Sequence, residues 1–318
     1  MSGDSADGYD VVVVGGGPAG LNAALMLGRS RRSVMVVDAG SPRNDAADGV
    51  HGLLGHDGTP PAELLARGRD EVRRYGGRIV DGAVTAARRD GDAFTVTVDG
   101  RTEVGARRLL VTTGVVDELP AIPGVRERWG RDVLHCPYCH GWEVRDRAVG
   151  VVATGPRSVH QALLFRQLSE DVVYFANEKP LEDEEAAKLR ARDIRILDGE
   201  IASVDVEGDR LTGVRIGNTV VGRDVLVVAT RLVVRAGFLK GLGLEPAEHP
   251  SGLGEHIPVD PKGRTSVAGV WAAGNVTDPS AQVGSSAAAG ATAAAQINSD
   301  LVDEDVELAR AALQPTQR

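Results

Sequence analysis

Apolar residues in this chain fall into short unbroken runs, separated by glycine turns and by stretches with helical spacing. Tyr9-Asp10-Val11-Val12-Val13-Val14 reads as a buried strand, Leu21 to Ser30 as a helix, and Val34-Met35-Val36-Val37-Asp38 as a second, parallel strand. Pro61 to Tyr75 predicts an amphipathic helix, and Phe94 to Val98 and Leu109 to Gly114 predict strands around an Asp99-Gly100 turn. The proline-punctuated segment Glu118 to Gly124 marks a boundary or hinge. A second alternation follows: strand Ala148 to Ala153, helix Ser158 to Leu168, strand Val172 to Phe175, an acidic helix Leu181 to Ala191, then strands near Ile194, Val204, Val214 and Val225 to Ala229. Past a glycine- and proline-rich stretch, Gly243 to Gly254, come Val270 to Val276 and a terminal helix of small residues.

At 318 residues and 42% apolar content the chain is long enough for two wound domains of mixed α/β class. Its formal charge of −9 gives no basic footprint for nucleic acid or for an acidic membrane surface. Met1 to Asp7 lack the positive and apolar regions of an export signal, and no apolar run reaches membrane-spanning length, so a cytoplasmic location is expected. The acidic run Glu182 to Glu185 reads as a solvated helix start.

Between the first strand and helix stands Gly15-Gly16-Gly17-Pro18-Ala19-Gly20. Gly15, Gly17 and Gly20 have the spacing that admits a pyrophosphate to a helix N-terminus, and Asp38, about twenty residues on, is placed to accept ribose hydroxyls. The flanking strand and helix make this a dinucleotide site rather than a bare glycine turn.

The chain has only two cysteines, in His135-Cys136-Pro137-Tyr138-Cys139-His140. In a reducing compartment such a pair is a redox dithiol rather than a staple. No metal is expected, because six consecutive residues seldom close a tetrahedron around zinc. Cys-Pro-Tyr-Cys also occurs in glutaredoxins, but position 136 lies far from the first strand and lacks that context.

The order and spacing of the first glycine motif, the dithiol and Val270-Trp271-Ala272-Ala273-Gly274-Asn275 resemble the two-domain, thioredoxin-reductase-like flavoproteins, over nearly the whole chain. The resemblance implies two Rossmann-like FAD/NAD(P)-binding domains, the second inserted into the first. An FAD domain would take residues 1–117 and 248–318, and a central domain with the dithiol would take 118–247. It also implies a homodimer. FAD would be held by Gly15, Gly17, Pro18, Ala19 and Gly20, by Asp38, Ala39, Val84, Thr113 and Gly114, and by Gly274, Asn275, Gln282 and Val283. Arg43, Asn44 and His51 belong to a stretch that the family wraps over the flavin ring. Cys139 would face the flavin and Cys136 the outside thiol. The helix starting near Gln282-Val283 would aim its positive end at the reduced ring. The family usually has Asp where Asn275 stands, and an acid where His140 stands; an imidazole there is placed to deprotonate a thiol or to stabilise a thiolate.

The central domain departs from the family pattern. Its nucleotide turn reads Ala153-Thr154-Gly155-Pro156-Arg157-Ser158, keeping one spaced glycine, and the expected basic cluster reads Tyr174-Phe175-Ala176-Asn177-Glu178. Side chains crowd the turn, and Glu178 repels a phosphate. Loss of NADPH leaves a dithiol as the source of electrons. This is similar to the dithiol oxidases that close disulfides in natural products of the holomycin, gliotoxin and romidepsin type. The expected partners are a small-molecule dithiol and dioxygen. The alternatives are a thioredoxin reductase fed by NADPH or ferredoxin, and a flavin-bound redox sensor.

Overall fold

The computed structural model describes residues 8–313, so the stretch Met1 to Asp7, in which no export signal is expected, lies outside it. The chain separates into two compact units. One comprises the residues up to Asp45, Ala62–Val116 and those from Val233 on; the other comprises Ala46–Pro61 and Asp117–Leu232. The second crossing therefore lies about fifteen residues before the expected 247/248 boundary. The reason is packing: Gly237–Leu242 forms a 3-10 turn laid on the strand Val84–Asp90, with Gly241 so close to the Ala87 carbonyl that a side chain would not fit. Ala46–Pro61 also goes with the dithiol unit, closed on itself by Val50 N–H to the Thr59 carbonyl (2.8 Å) and Gly58 N–H to the Val50 carbonyl (2.8 Å).

In the first unit the strands run in the order Arg78–Asp81, Val34–Asp38, Tyr9–Val14, Thr102–Val111, Ala93–Val98, Val84–Asp90. The first four are parallel, as is Val270–Ala272, which pairs with the far end of Thr102–Val111; the last two form an antiparallel extension. The inner stretches of these strands, Val11–Val14, Val34–Val37 and Leu109–Val111, are apolar without a break because both faces are covered there. Val11, Val13, Val34, Val36 and Leu110 pack under the helices Pro18–Arg29 and Val283–Leu313, while Val12, Val14, Met35 and Val37 are buried on the other face. Arg78–Asp81 and Val84–Asp90 had no alternating apolar signature to betray them, since most of their side chains are partly or fully exposed. The strand expected from Leu109 to Gly114 begins at Thr102 and stops at Val111, because Gly114 turns into the left-handed region (φ +65°).

The dithiol unit holds a five-stranded parallel sheet in the order Arg195–Leu197, Val172–Phe175, Val149–Val152, Val225–Val228, Val133–Leu134. Val149, Val151, Tyr174, Val225 and Val227 face the helix Ser158–Phe165. Val152, Val173, Phe175, Leu226 and Val228 face a three-stranded antiparallel sheet, Ile201–Glu207, Arg210–Ile216 and Thr219–Gly222. This is a wound α/β sheet with the helices Ser158–Phe165 and Asp183–Arg190 on one face and a small sheet on the other. Among the described residues no helix is long and apolar enough to cross a membrane.

Candidate active site

The glycine motif of the first unit divides its labour as the chemistry of a phosphate site requires. Gly17 caps the helix Pro18–Arg29, and no atom lies within 4 Å of where its Cβ would project. Open backbone of this kind at the positive end of a helix is what a diphosphate requires. Gly20 faces the Gly15 carbonyl too closely for any side chain, which presses helix onto strand. Thr112, buried at the end of its strand, locks the turn by donating to the carbonyls of Val14 (3.0 Å) and Gly15 (2.8 Å). The Thr113 hydroxyl beside it is buried with no hydrogen-bond partner among the described residues, an orphan of the kind a bound group satisfies.

Asp38 ends its strand and accepts from Gly40 N–H (3.2 Å) and from the Arg69 guanidinium, which reaches it from the helix Pro61–Arg74. Arg69 was not legible as a site residue, because its contact joins residues 31 apart. Asp81 is the register partner of Asp38, and Gly82 N–H donates to the Asp38 carbonyl (2.9 Å), two residues before the strand Val84–Asp90 begins. Ala39, Arg43 and Asn44 follow Asp38 as a loop to which Arg235 donates at the Ser41 carbonyl (3.0 Å).

Gly274 (φ +82°) packs against Ala19, and Gly290 sits directly under the Ala19 carbonyl, so the N-terminal ends of Pro18–Arg29 and Val283–Leu313 lie side by side. Asn22 ties them further, donating to the Ala287 carbonyl (2.7 Å). Gln282 accepts from Ser286 N–H (2.8 Å) at the start of the second helix, next to Val283. Asn275 accounts for the absent acid. Its amide donates to the carbonyls of Asp278 (3.1 Å), Pro279 (3.3 Å) and Ala281 (2.8 Å), stitching the loop that leads into that helix. A carboxylate cannot donate and would face three carbonyl oxygens. Asn275→Asp should therefore cost about 1–3 kcal/mol, read as a fall in the Tm of the purified protein; an unchanged Tm would contradict this role.

In the other unit Cys136 and Cys139 are joined by a disulfide, with Cα atoms 5.3 Å apart. Cys136 caps the one-turn helix Pro137–His140, and its carbonyl accepts from the N–H groups of Cys139 (3.3 Å) and His140 (3.2 Å). Pro137 supplies the fixed φ of a first helical position. Tyr138 and Trp142 flank the pair with two-thirds of their surface exposed. Both ring nitrogens of His140 are buried and lack a hydrogen-bond partner among the described residues. Burial pushes its proton affinity below the ordinary imidazole value; the charges of Glu143 and Asp48 act in the opposite direction, and His51 adds to the lowering. Burial thus favours the neutral form of the His140 imidazole. His51, expected beside the cofactor, stands in this unit, with Nε2 3.5 Å from Glu143 and Nδ1 3.4 Å from Asp57. His135 stacks on Trp129 (ring centroids 5.8 Å apart), and its carbonyl accepts from Gln161 (2.8 Å).

The turn after the strand Val149–Val152 is closed by its own side chain. The buried Ser158 hydroxyl accepts from the N–H groups of Thr154 (3.2 Å) and Gly155 (3.1 Å), while Thr154 Oγ1 accepts from Ala229 N–H (2.7 Å). Pro156 has no N–H to offer. The amides that a phosphate needs are thereby already satisfied from within. The next strand ends at Phe175, and Asn177 accepts from Ile201 N–H (2.9 Å) instead of facing outward as a ligand. Ser158 was visible in the sequence as a serine three residues past Gly155, a spacing suited to a side-chain cap.

Fold, glycine motif and redox-active cysteine pair together define an oxidoreductase that works through sulfur. The chain matches the Pyridine nucleotide-disulphide oxidoreductase family over residues 9–312, and it belongs to that family. It is 35% identical over 283 residues to thioredoxin reductase tcpT of Claviceps purpurea (strain 20.1), covering 84% of this chain and 86% of that one. It is 30% identical over 318 residues to thioredoxin reductase sirT of Leptosphaeria maculans, covering 94% and 96%. Among solved structures it resembles that of HlmI with a TM-score of 0.90 at 48% identity, covering 96% of each chain. The chain is an enzyme of the flavin thiol-disulfide oxidoreductase type.

Proposed function

We propose that this enzyme is an FAD-dependent oxidase that converts a small-molecule dithiol into an intramolecular disulfide, with dioxygen as acceptor and hydrogen peroxide as the reduced product. The observation that carries the reading is the Ser158 hydroxyl on the amides of Thr154 and Gly155, which leaves a pyridine nucleotide little backbone to bind. Electrons then enter through sulfur. The vacant shell at Gly17 and the orphaned Thr113 hydroxyl support FAD in the other unit. Gly15 to Gly20 would hold its diphosphate and Asp38 its ribose. Ala39, Arg43, Asn44, Val84 and Gly114 would add further contacts, and Gly274, Asn275, Gln282 and Val283 would hold the ribityl and ring portion. Bound FAD supplies a two-electron acceptor for the reduced dithiol and a donor to dioxygen.

His140 takes the proton of the first substrate thiol. The thiolate attacks Cys136 Sγ, the Cys136–Cys139 bond breaks, and Cys139 is released as thiolate. The second substrate thiol, deprotonated in turn, attacks the substrate sulfur of the mixed disulfide and expels Cys136. The substrate leaves as a cyclic disulfide, having given up two electrons and two protons. The enzyme holds the electrons as its dithiol, and reoxidation restores the Cys136–Cys139 bond. We further propose a homodimer in the cytoplasm.

The name shared by the curated relatives favours a second reading, an NADPH-fed thioredoxin reductase. Anaerobic titration of the purified yellow enzyme separates the two. NADPH should leave the flavin absorbance unchanged and dithiothreitol should bleach it, with peroxide forming when air is admitted. Rapid bleaching by NADPH would refute the oxidase.

A further inference from the structure

His51 and Glu143 are far apart in sequence, yet the fold brings them within 3.5 Å of one another, with Glu143 three residues past His140, the group that the mechanism uses as its base. The loop Ala46–Pro61 is pinned at Val50 and Thr59, and Asp57 holds it again by accepting from Gly52 N–H (3.0 Å). The His51 ring lies between two carboxylates, Asp57 (3.4 Å) and Glu143 (3.5 Å). Glu143 follows the dithiol helix by three residues. The charged groups acting on His140 are Glu143, His51 and Asp48, and both His140 ring nitrogens lie buried with no partner among the described residues.

We propose that Glu143 and His51 are positioning residues that set the charge around His140 and so govern how readily it takes the proton of an incoming thiol. This rests on the oxidase reading only for the identity of the proton donor. Elementary electrostatics fixes the signs: the Glu143 carboxylate stabilises a protonated His140, and a protonated His51 opposes it. Glu143 in turn pairs with His51 when that ring is charged, so one carboxylate serves two imidazoles.

The two substitutions should move His140 in opposite directions. In holoenzyme with isotopically labelled histidine, the His140 resonance, assigned by its loss in His140→Gln, is followed against pH by NMR. Glu143→Gln should lower its titration midpoint and His51→Gln should raise it, each by about half a pH unit, on the order expected of one partly screened charge. The same opposite displacements should appear in the acid limb of the anaerobic bleaching of the flavin by dithiothreitol. Midpoints unmoved in both variants, or moved in the same direction, would overturn the proposal; a residue of merely structural importance would lower rates without moving the midpoint. The NMR titration needs no turnover, so it decides the proposal even where dithiothreitol fails to bleach the flavin, an outcome that would count against the oxidase instead.

Discussion

Replacing Cys136 or Cys139 by Ser should abolish conversion of dithiol to disulfide, by on the order of 10⁴-fold or more, while leaving the protein yellow. The two sulfurs are the only ones of their kind in the chain, so nothing can substitute for either. The loss should be confined to the chemistry, because Cys139 sits on a one-turn helix that Cys136 caps, and none of that helix's residues is fully buried. Folding and cofactor binding belong to other residues. Flavin absorbance and peroxide output, measured on the same preparation, test this; retained turnover in either variant would reject the assigned roles. The two variants should also differ. Under the proposed roles Cys139→Ser keeps the sulfur that meets outside thiols, so it should trap a mixed disulfide, visible as a mass increase, when treated with an oxidised small thiol.

The second large effect contrasts two glycines of the first unit. Gly17→Ala should leave the stability of the cofactor-free protein within about 0.5 kcal/mol, because its methyl group meets no protein atom. It should nevertheless weaken FAD binding at least ~10-fold, since that vacant shell is the space a diphosphate needs. Gly290→Ala should do the reverse. Helix propensity alone favours alanine by about 1 kcal/mol, yet its methyl group would run into the Ala19 carbonyl and force two helices apart. A net loss of about 2–3 kcal/mol is expected, with any cofactor loss following from it. Thermal unfolding and flavin-binding titration of both variants check the pair. Normal FAD affinity in Gly17→Ala would remove the dinucleotide site from the account.

Much of this was readable from local pattern. The strand, glycine turn, helix and second strand from Tyr9 to Asp38 are signalled by unbroken valine runs and helical spacing, and they form as expected. The strand Val172–Phe175 and the helix starting at Ser158 are legible for the same reason: each buries apolar residues chosen by a short-range period. The dithiol was visible because cysteine is rare here and its spacing is itself the chemistry. Edge elements such as Arg78–Asp81 were not visible, since a half-solvated strand needs no apolar alternation.

What the chain order cannot express is which distant groups satisfy one another. A serine that consumes the amides of its own turn, an asparagine whose amide holds three carbonyls, and an arginine on Asp38 each depend on hydrogen-bond directions that exist only after the backbone has closed. The same holds for His51, whose partner Glu143 is 92 positions away. Sequence by itself determined the class of fold, the nucleotide-type glycine turn and the sulfur chemistry, because those are set by short-range periodicity and by residue type. Tertiary structure alone decided which amides were left free and which charges act on His140, because hydrogen bonds and Coulomb forces act over a few ångströms of space, whatever the distance along the chain.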